Sequence, residues 1–175
     1  MSHQHQIRVL SADDHALLRE GIAAVINGQA DMTMIAQAAS GREAIQLYRE
    51  HRPDVTLMDL RMPDITGIDA LIAILAEFPD ARIVMLTTFE GDVEIHRALE
   101  AGARGYLLKS MPPKELLDGI RQVHAGKKRI PPEIAAQLHL SPATIKTHLH
   151  NVYAKLGVSD RAAAVAEGMR RGLIA

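Results

Sequence analysis

Residues 55–63 read VTLMDLRMP, and this stretch decides the fold. Val55 to Met58 is a run of buried-strand residues that delivers one carboxylate, Asp59, to the strand's C-terminal end. Upstream, residues 7–15 read IRVLSADDH, a second apolar strand ending in the acidic pair Asp13 and Asp14. Two strands that both end in acids point to a divalent-metal and phosphate site at the top of a parallel sheet.

The pattern repeats outward from these two strands. Apolar runs fall at Ile7–Leu10, Met32–Ala36, Val55–Met58, Ile83–Leu86 and Tyr106–Leu108. Between them lie stretches with helical spacing, such as Leu17, Leu18, Ile22, Val25 and Ile26, or Leu116, Leu117, Ile120 and Val123. Strand–helix alternation of this kind predicts an α/β fold: a five-stranded parallel sheet, doubly wound, with helices on both faces. Ligands of such sheets sit outside the C-terminal strand ends, where Asp13, Asp14, Asp59 and Thr87 fall. Gly126 is a natural stop for the fifth helix.

The 175 residues carry no cysteine, so a disulfide scaffold and a thiolate metal site are excluded. No apolar run approaches the roughly 20 residues that cross a membrane. The N-terminus, MSHQHQ, lacks the features of a signal peptide, so a cytoplasmic location with no membrane partner is expected. Charge is divided unevenly. Residues 1–126 hold 12 Lys+Arg against 18 Asp+Glu, whereas residues 127–175 hold 8 against 3. An acidic front and a basic tail suggest two modules, the second meeting an anionic partner. The expected division is 1–126, a linker at 127–132 containing Pro131–Pro132, and 133–175, a small all-α segment.

Three clustered carboxylates repel one another unless a cation intervenes. A hard ion with oxygen ligands, Mg²⁺, resolves this and neutralises an incoming phosphoryl group. Asp59 is then the candidate nucleophile. Lys109, after the fifth strand, offers a cation to the phosphoryl oxygens, and Thr87 offers a hydroxyl. A single strand-end acid is most often a helix cap or a solvated group; five such parts together argue for a site.

SADDH, LMDLRMPDITG, VMLTT and ARGYLLKS, in this order and spacing, resemble the receiver domain of bacterial two-component response regulators. The resemblance implies no enzyme in the metabolic sense. It implies that Asp59 accepts a phosphoryl group from a sensor histidine kinase. It further implies that Asp14, Asp59 and the Arg61 backbone carbonyl bind Mg²⁺ with help from Asp13, that Thr87 and Tyr106 form a switch pair, and that Lys109 binds phosphate. Thr87 would move toward the phosphoryl group, leaving room for Tyr106 to rotate inward. A haloacid-dehalogenase-like phosphatase would want a second Asp two residues after the nucleophile, where Arg61 stands.

In the tail, Ile145, Leu149, Val152 and Leu156 fall on one stripe of a helix started by Ser141–Pro142. Lys146, Thr147, His150 and Asn151 lie opposite, with Lys155 nearby, a pattern suited to the DNA major groove. EIAAQLHLSPATIKTHLHNVYAKLGVSDRAAAV resembles the NarL/FixJ (LuxR-type) helix-turn-helix domain. Carried over, Lys146, Thr147 and His150 match base-reading positions, and Thr144, Asn151 and Lys155 match backbone-contacting ones. A last helix, about 160–171, matches the element that pairs two such domains. His139, His148 and His150, without cysteine or clustered acids, make a poor metal site.

The family's first DNA-binding-domain helix, introduced by Leu-Thr-x-Arg-Glu, is missing between Gly126 and Glu133. Its loss would expose Ile134, Leu138, Ile145 and Leu149, at about 1.5–3 kcal/mol each. The expected remedy is a homodimer with exchanged tails. Two functions follow: a phosphorylation-controlled transcription regulator that binds DNA, or a receiver whose truncated tail serves oligomerisation or protein interaction with little specific DNA binding.

Overall fold

The computed structural model describes residues 6–88, 92–130, 157–158 and 161–170. The chain divides into two compact units, Met1–Pro131 and Pro132–Ala175. The first unit runs β1 (Ile7–Ala12), α1 (Ala16–Asn27), β2 (Met32–Ala38), α2 (Gly41–His51), β3 (Val55–Asp59), α3 (Gly67–Glu77), β4 (Ile83–Thr87), α4 (Asp92–Ala101), β5 (Gly105–Leu108) and α5 (Pro113–His124). All strands are parallel, in the order β2-β1-β3-β4-β5. Of the second unit, α6 (Arg161–Arg170) is described, within the span expected for the last helix. The tail residues Thr144, Lys146, Thr147, His150, Asn151 and Lys155, and His139 and His148, lie outside the described residues.

Every residue of β3 and β4 is buried, as expected of central strands covered on both faces. Val9, Leu57, Leu86 and Leu107 share one core with Ile22 and Ile26 of α1 and Leu116, Leu117, Ile120 and Val123 of α5. On the other face α2, α3 and α4 pack in sequence. Burial of each large apolar side chain contributes about 1.5–3 kcal/mol, so the amphipathic stripes rather than helix propensity hold these helices in place.

Local chemistry sets the helix ends. Ser40 caps α2 by accepting from the Glu43 N–H at 3.2 Å, while Glu43 reaches back to the Ala39 N–H at 2.6 Å. Thr66 caps α3 in the same way through the Asp69 N–H. The helix α2 closes on Arg52, a non-glycine residue at φ 47°, whose guanidinium lies 3.7 Å from the centroid of the Phe78 ring. The helix α5 ends at His124; Gly126 then takes φ +84°, and the Lys127 N–H closes onto the Gln122 carbonyl at 3.0 Å.

The segment after α5 does not leave the sheet at once. Arg129 pairs in parallel with Gly105, donating its N–H to the Arg104 carbonyl at 3.1 Å and accepting from the Tyr106 N–H at 2.7 Å. A stub of linker thereby covers the otherwise open edge of β5. Gly105 is required for the approach, since a Cβ there would meet the Arg129 carbonyl oxygen at 2.9 Å. The substitution Gly105→Ala is expected to displace this stub. It should speed hydrogen exchange at the Tyr106 amide at least tenfold and cost about 1–2 kcal/mol in urea unfolding.

Candidate functional site

The strand order reverses direction between β1 and β3, which opens a crevice at their C-terminal ends. Asp13 lies one residue beyond β1, Asp59 ends β3, Thr87 ends β4, and Lys109 follows β5 directly. The fold therefore gathers residues from four strand ends around one cavity of about 130 Å³, lined by Asp14, His15, Asp59, Arg61, Thr87 and Lys109 among others.

The ammonium of Lys109 sits between two carboxylates, 2.7 Å from Asp13 Oδ2 and 3.0 Å from Asp59 Oδ2. The Asp13 contact is an ionic approach rather than a well-directed hydrogen bond. Asp13 is fully buried and Asp59 is 4 % exposed. Burial pushes the Asp59 carboxyl above its ordinary value; Lys109 opposes that and the Asp13 charge adds to it. For Lys109, burial works against the charge, but the adjacent Asp13 and Asp59 carboxylates outweigh it and hold the ammonium above its ordinary value.

Oxygen atoms of Asp13, Asp14 and Asp59 and a ring nitrogen of His15 all lie within 4.8 Å of one another. Such a carboxylate set suits a hard divalent cation. Tyr106 is 0 % exposed, and burial raises its phenol to about 12, offset in part by Thr87. The contact between the two hydroxyl groups falls short of a well-formed hydrogen bond at the phenol. The ring thus lies inward, the position that the sequence reading assigns to the phosphorylated receiver, and its apolar surface suffices to seat it there.

Three contributors escape sequence reasoning. His15 follows the acidic pair directly, and its Nδ1 lies 3.0 Å from Asp13 Oδ1 and 2.9 Å from Asp14 Oδ1. Arg19, one turn into α1, donates to the Asp13 carbonyl at 2.5 Å. Glu94 of α4 brings a further carboxylate to the cavity wall and to the surroundings of the Tyr106 phenol. His15 carries a readable signal, its place beside two acids. Arg19 and Glu94 carry none, because their roles arise from tertiary approach.

Residues 9–121 match the family model of the response regulator receiver domain, and residues 121–167 match that of bacterial regulatory proteins of the LuxR family. This chain is a response regulator of the LuxR family. It is 35% identical, over 213 aligned positions covering 97% of this chain and 98% of the relative, to the uncharacterized transcriptional regulatory protein YxjL of Bacillus subtilis. It is 32% identical over 206 positions to the response regulator protein VraR of Staphylococcus aureus, covering 96% and 99%. Among solved structures, a two-component response regulator of the LuxR family from Aurantimonas matches with TM-score 0.73 and 37% identity, covering 77% of this chain and 96% of that one. The response regulator ChrA of a heme-sensing two-component system matches with TM-score 0.64 and 31% identity, covering 97% and 99%. As a response regulator the protein couples a phosphorylated receiver to a DNA-binding LuxR-type segment and regulates transcription. The 213 positions aligned with the Bacillus relative exceed the 175 residues of this regulator, so at least 38 have no counterpart here. The two family segments meet inside α5.

The charge arrangement has a measurable consequence. Asp59 has its folded pKa raised above the ordinary 3.8, so its ionisation disfavours the folded state above that range and ceases to do so below it. The substitution Asp59→Asn is expected to raise the melting temperature at pH 7 without added metal, and the gain should vanish as pH falls toward 4. Lys109→Met should cost about 3 kcal/mol at pH 7, since it strands two buried carboxylates, and the cost should shrink on acidification. Thermal melts across pH check both.

Proposed function

We propose that this response regulator takes its phosphoryl group on Asp59 from a sensor histidine kinase. An Asp59 oxygen attacks phosphorus, the bond to the kinase imidazole breaks, and an acyl phosphate forms. The observation that carries this reading is the pairing of one buried ammonium, Lys109, with Asp13 and Asp59 at the strand ends. Lys109 would leave Asp59 for the phosphoryl oxygens, keeping its bond to Asp13 as an anchor.

Asp13, Asp14, Asp59 and the Arg61 carbonyl would hold Mg²⁺, whose charge offsets that of the phosphoryl group. Carboxylate oxygens gathered within 4.8 Å support this assignment. Thr87 would donate its hydroxyl to the phosphoryl group. With Tyr106 already inward, phosphorylation acts by holding this arrangement rather than by creating it, a shift of population between states. The protein works as a switch with no catalytic turnover of a separate substrate, and we place it in the cytoplasm; no described helix is long and apolar enough to cross a membrane.

For the tail we propose DNA contact through Lys146, Thr147 and His150 to bases and Thr144, Asn151 and Lys155 to the backbone. Domain limits of 1–126, 127–132 and 133–175 accompany this reading. The unmatched positions in the alignment support a LuxR-type segment that lacks its first helix. They also favour a second reading, in which the tail pairs two chains, with exchanged tails, more than it reads sequence.

Incubation with acetyl phosphate and Mg²⁺ should add one phosphoryl group, seen as a retarded band on a phosphate-affinity gel. Asp59→Asn should abolish it; a retained band would sink the assignment. Fluorescence anisotropy with promoter DNA should show binding that beryllofluoride and Mg²⁺ strengthen at least fivefold. Weak binding, equal on all fragments and lost with salt, would favour the second reading. Light scattering decides the dimer, since a monomer at micromolar concentration contradicts exchanged tails.

A further inference from the structure

The phosphoacceptor's own loop, residues 60–66, runs from the end of β3 to the start of α3. Its two ends meet beside Asp59. Gly67 donates its N–H to the Leu60 carbonyl at 2.9 Å, and a Cβ at Gly67 would fall 1.9 Å from the Asp59 carbonyl oxygen. The helix start is therefore pressed against the phosphoacceptor's backbone, and Thr66 then caps α3 through the Asp69 N–H at 3.1 Å. Between those ends the loop needs a further hold near its middle; Arg61 stands near its start, where its backbone N–H bonds the Asp59 carboxylate.

Asp64 supplies a hold. One carboxylate oxygen accepts from the Gly41 N–H at 2.9 Å and the other from the Arg42 N–H at 2.8 Å. These are the first two residues of α2, whose N–H groups have no partner within their own helix. The bond spans the chain from the β3–α3 loop to α2 and uses both oxygens, so it fixes orientation as well as distance. Slight burial pushes the Asp64 carboxyl up, but the N–H groups of Arg42, Ile65 and Gly41 outweigh it and hold the group well below the usual carboxylate range. The carboxylate is charged at every pH at which the regulator works.

We propose that Asp64 is a positioning residue for phosphorylation: by clamping the loop to the N-terminus of α2 it sets the Arg61 carbonyl and the Asp59 carboxylate in register with Asp13 and Asp14. This rests on the reading of Asp59 as phosphoacceptor and of Arg61 as a metal-facing carbonyl. The clamp acts on backbone geometry and touches neither the phosphoryl group nor the cation. A carbonyl displaced by about 1 Å is enough to cost up to a hundredfold in a step that depends on alignment.

The test compares three variants of the full chain. Asp64→Ala removes the clamp, Asp64→Asn keeps one acceptor oxygen, and Ser40→Ala weakens the cap of α2 without touching the loop. Each is assayed for the Mg²⁺ dependence of beryllofluoride binding by ¹⁹F NMR, for the rate of phosphorylation by acetyl phosphate, and for melting temperature. The expected result is a tenfold or larger rise in the Mg²⁺ needed and a matching fall in rate for Asp64→Ala, with Asp64→Asn between it and the parent. Ser40→Ala should lower the melting temperature while leaving both other readouts unchanged. Unchanged Mg²⁺ dependence and rate in Asp64→Ala overturn the proposal. So does an equal loss in Ser40→Ala, which would make the effect one of general α2 stability. If Asp64→Ala does not fold, a parent-like Asp64→Asn overturns it and an intermediate one upholds it. Phosphorylation retained by Asp59→Asn would instead remove the reading on which the clamp depends, and is seen in a separate lane of the same assay.

Discussion

The whole receiver unit is arranged around one ammonium held between two buried carboxylates. Two negative charges a few ångströms apart in a poorly polarisable setting repel strongly, and one lysine cannot neutralise Asp13, Asp14 and Asp59 together. The fold tolerates the excess because it is fixed by five strands and a large apolar core that the site does not share. Stability is sacrificed at the strand ends and recovered between the sheet and α1 and α5, a division common to functional sites. The same imbalance makes the acidic cluster receptive to a divalent cation, which supplies positive charge that one lysine cannot.

The consequences of filling the site run along β4 and β5. Thr87 ends β4, and Tyr106 lies beside it in β5, with its side chain fully buried. The same Tyr106 donates its backbone N–H to Arg129 in the linker. A single residue therefore has its phenol near the Thr87 hydroxyl and its amide against the segment that leads to the tail. On the proposed switch, a ring already buried here would change less in where it sits than in how firmly it is held. A local change of charge then biases an existing arrangement.

The strands, their order of use and their acidic ends were legible because period and burial leave marks in single residues. Val55–Met58 is buried on both faces, and Asp59 ends it with a carboxylate at the strand's C-terminal end. Gly126 announced the end of α5, and the structure stops the helix two residues earlier, with Gly126 in the left-handed region. What stayed hidden depends on approach in three dimensions. The pairing of Arg129 with Gly105 runs through backbone atoms, so no side-chain pattern reveals it. The bond from Asp64 to the start of α2 joins residues 23 apart in sequence, and an acid in a loop otherwise reads as a solvated turn residue. Arg52 in the left-handed region is explained by its stacking on Phe78, which only the packing of α2 against α3 brings near.

The tail poses the remaining physical problem, and α5 sharpens it. The LuxR-type match begins at residue 121, inside a helix whose apolar residues Leu116, Leu117, Ile120 and Val123 are already committed to the receiver core. That stripe cannot serve two cores at once. Arg121, the first matched residue, is spent on the receiver as well, paired with Asp31 at 2.8 Å and with Asp118 at 3.2 Å. On the sequence reading, this face of α5 is therefore not available to cover a stripe of Ile145, Leu149, Val152 and Leu156. An apolar stripe of that size left in water costs several kcal/mol, comparable to the stability of a small domain. On the proposed exchange of tails, a second copy of the chain would offer the same segment with the same need, and the two would satisfy each other without any new sequence. On that proposal the number of chains in the assembly and the ability to bind DNA would be one property of the tail, set by a single act of burial.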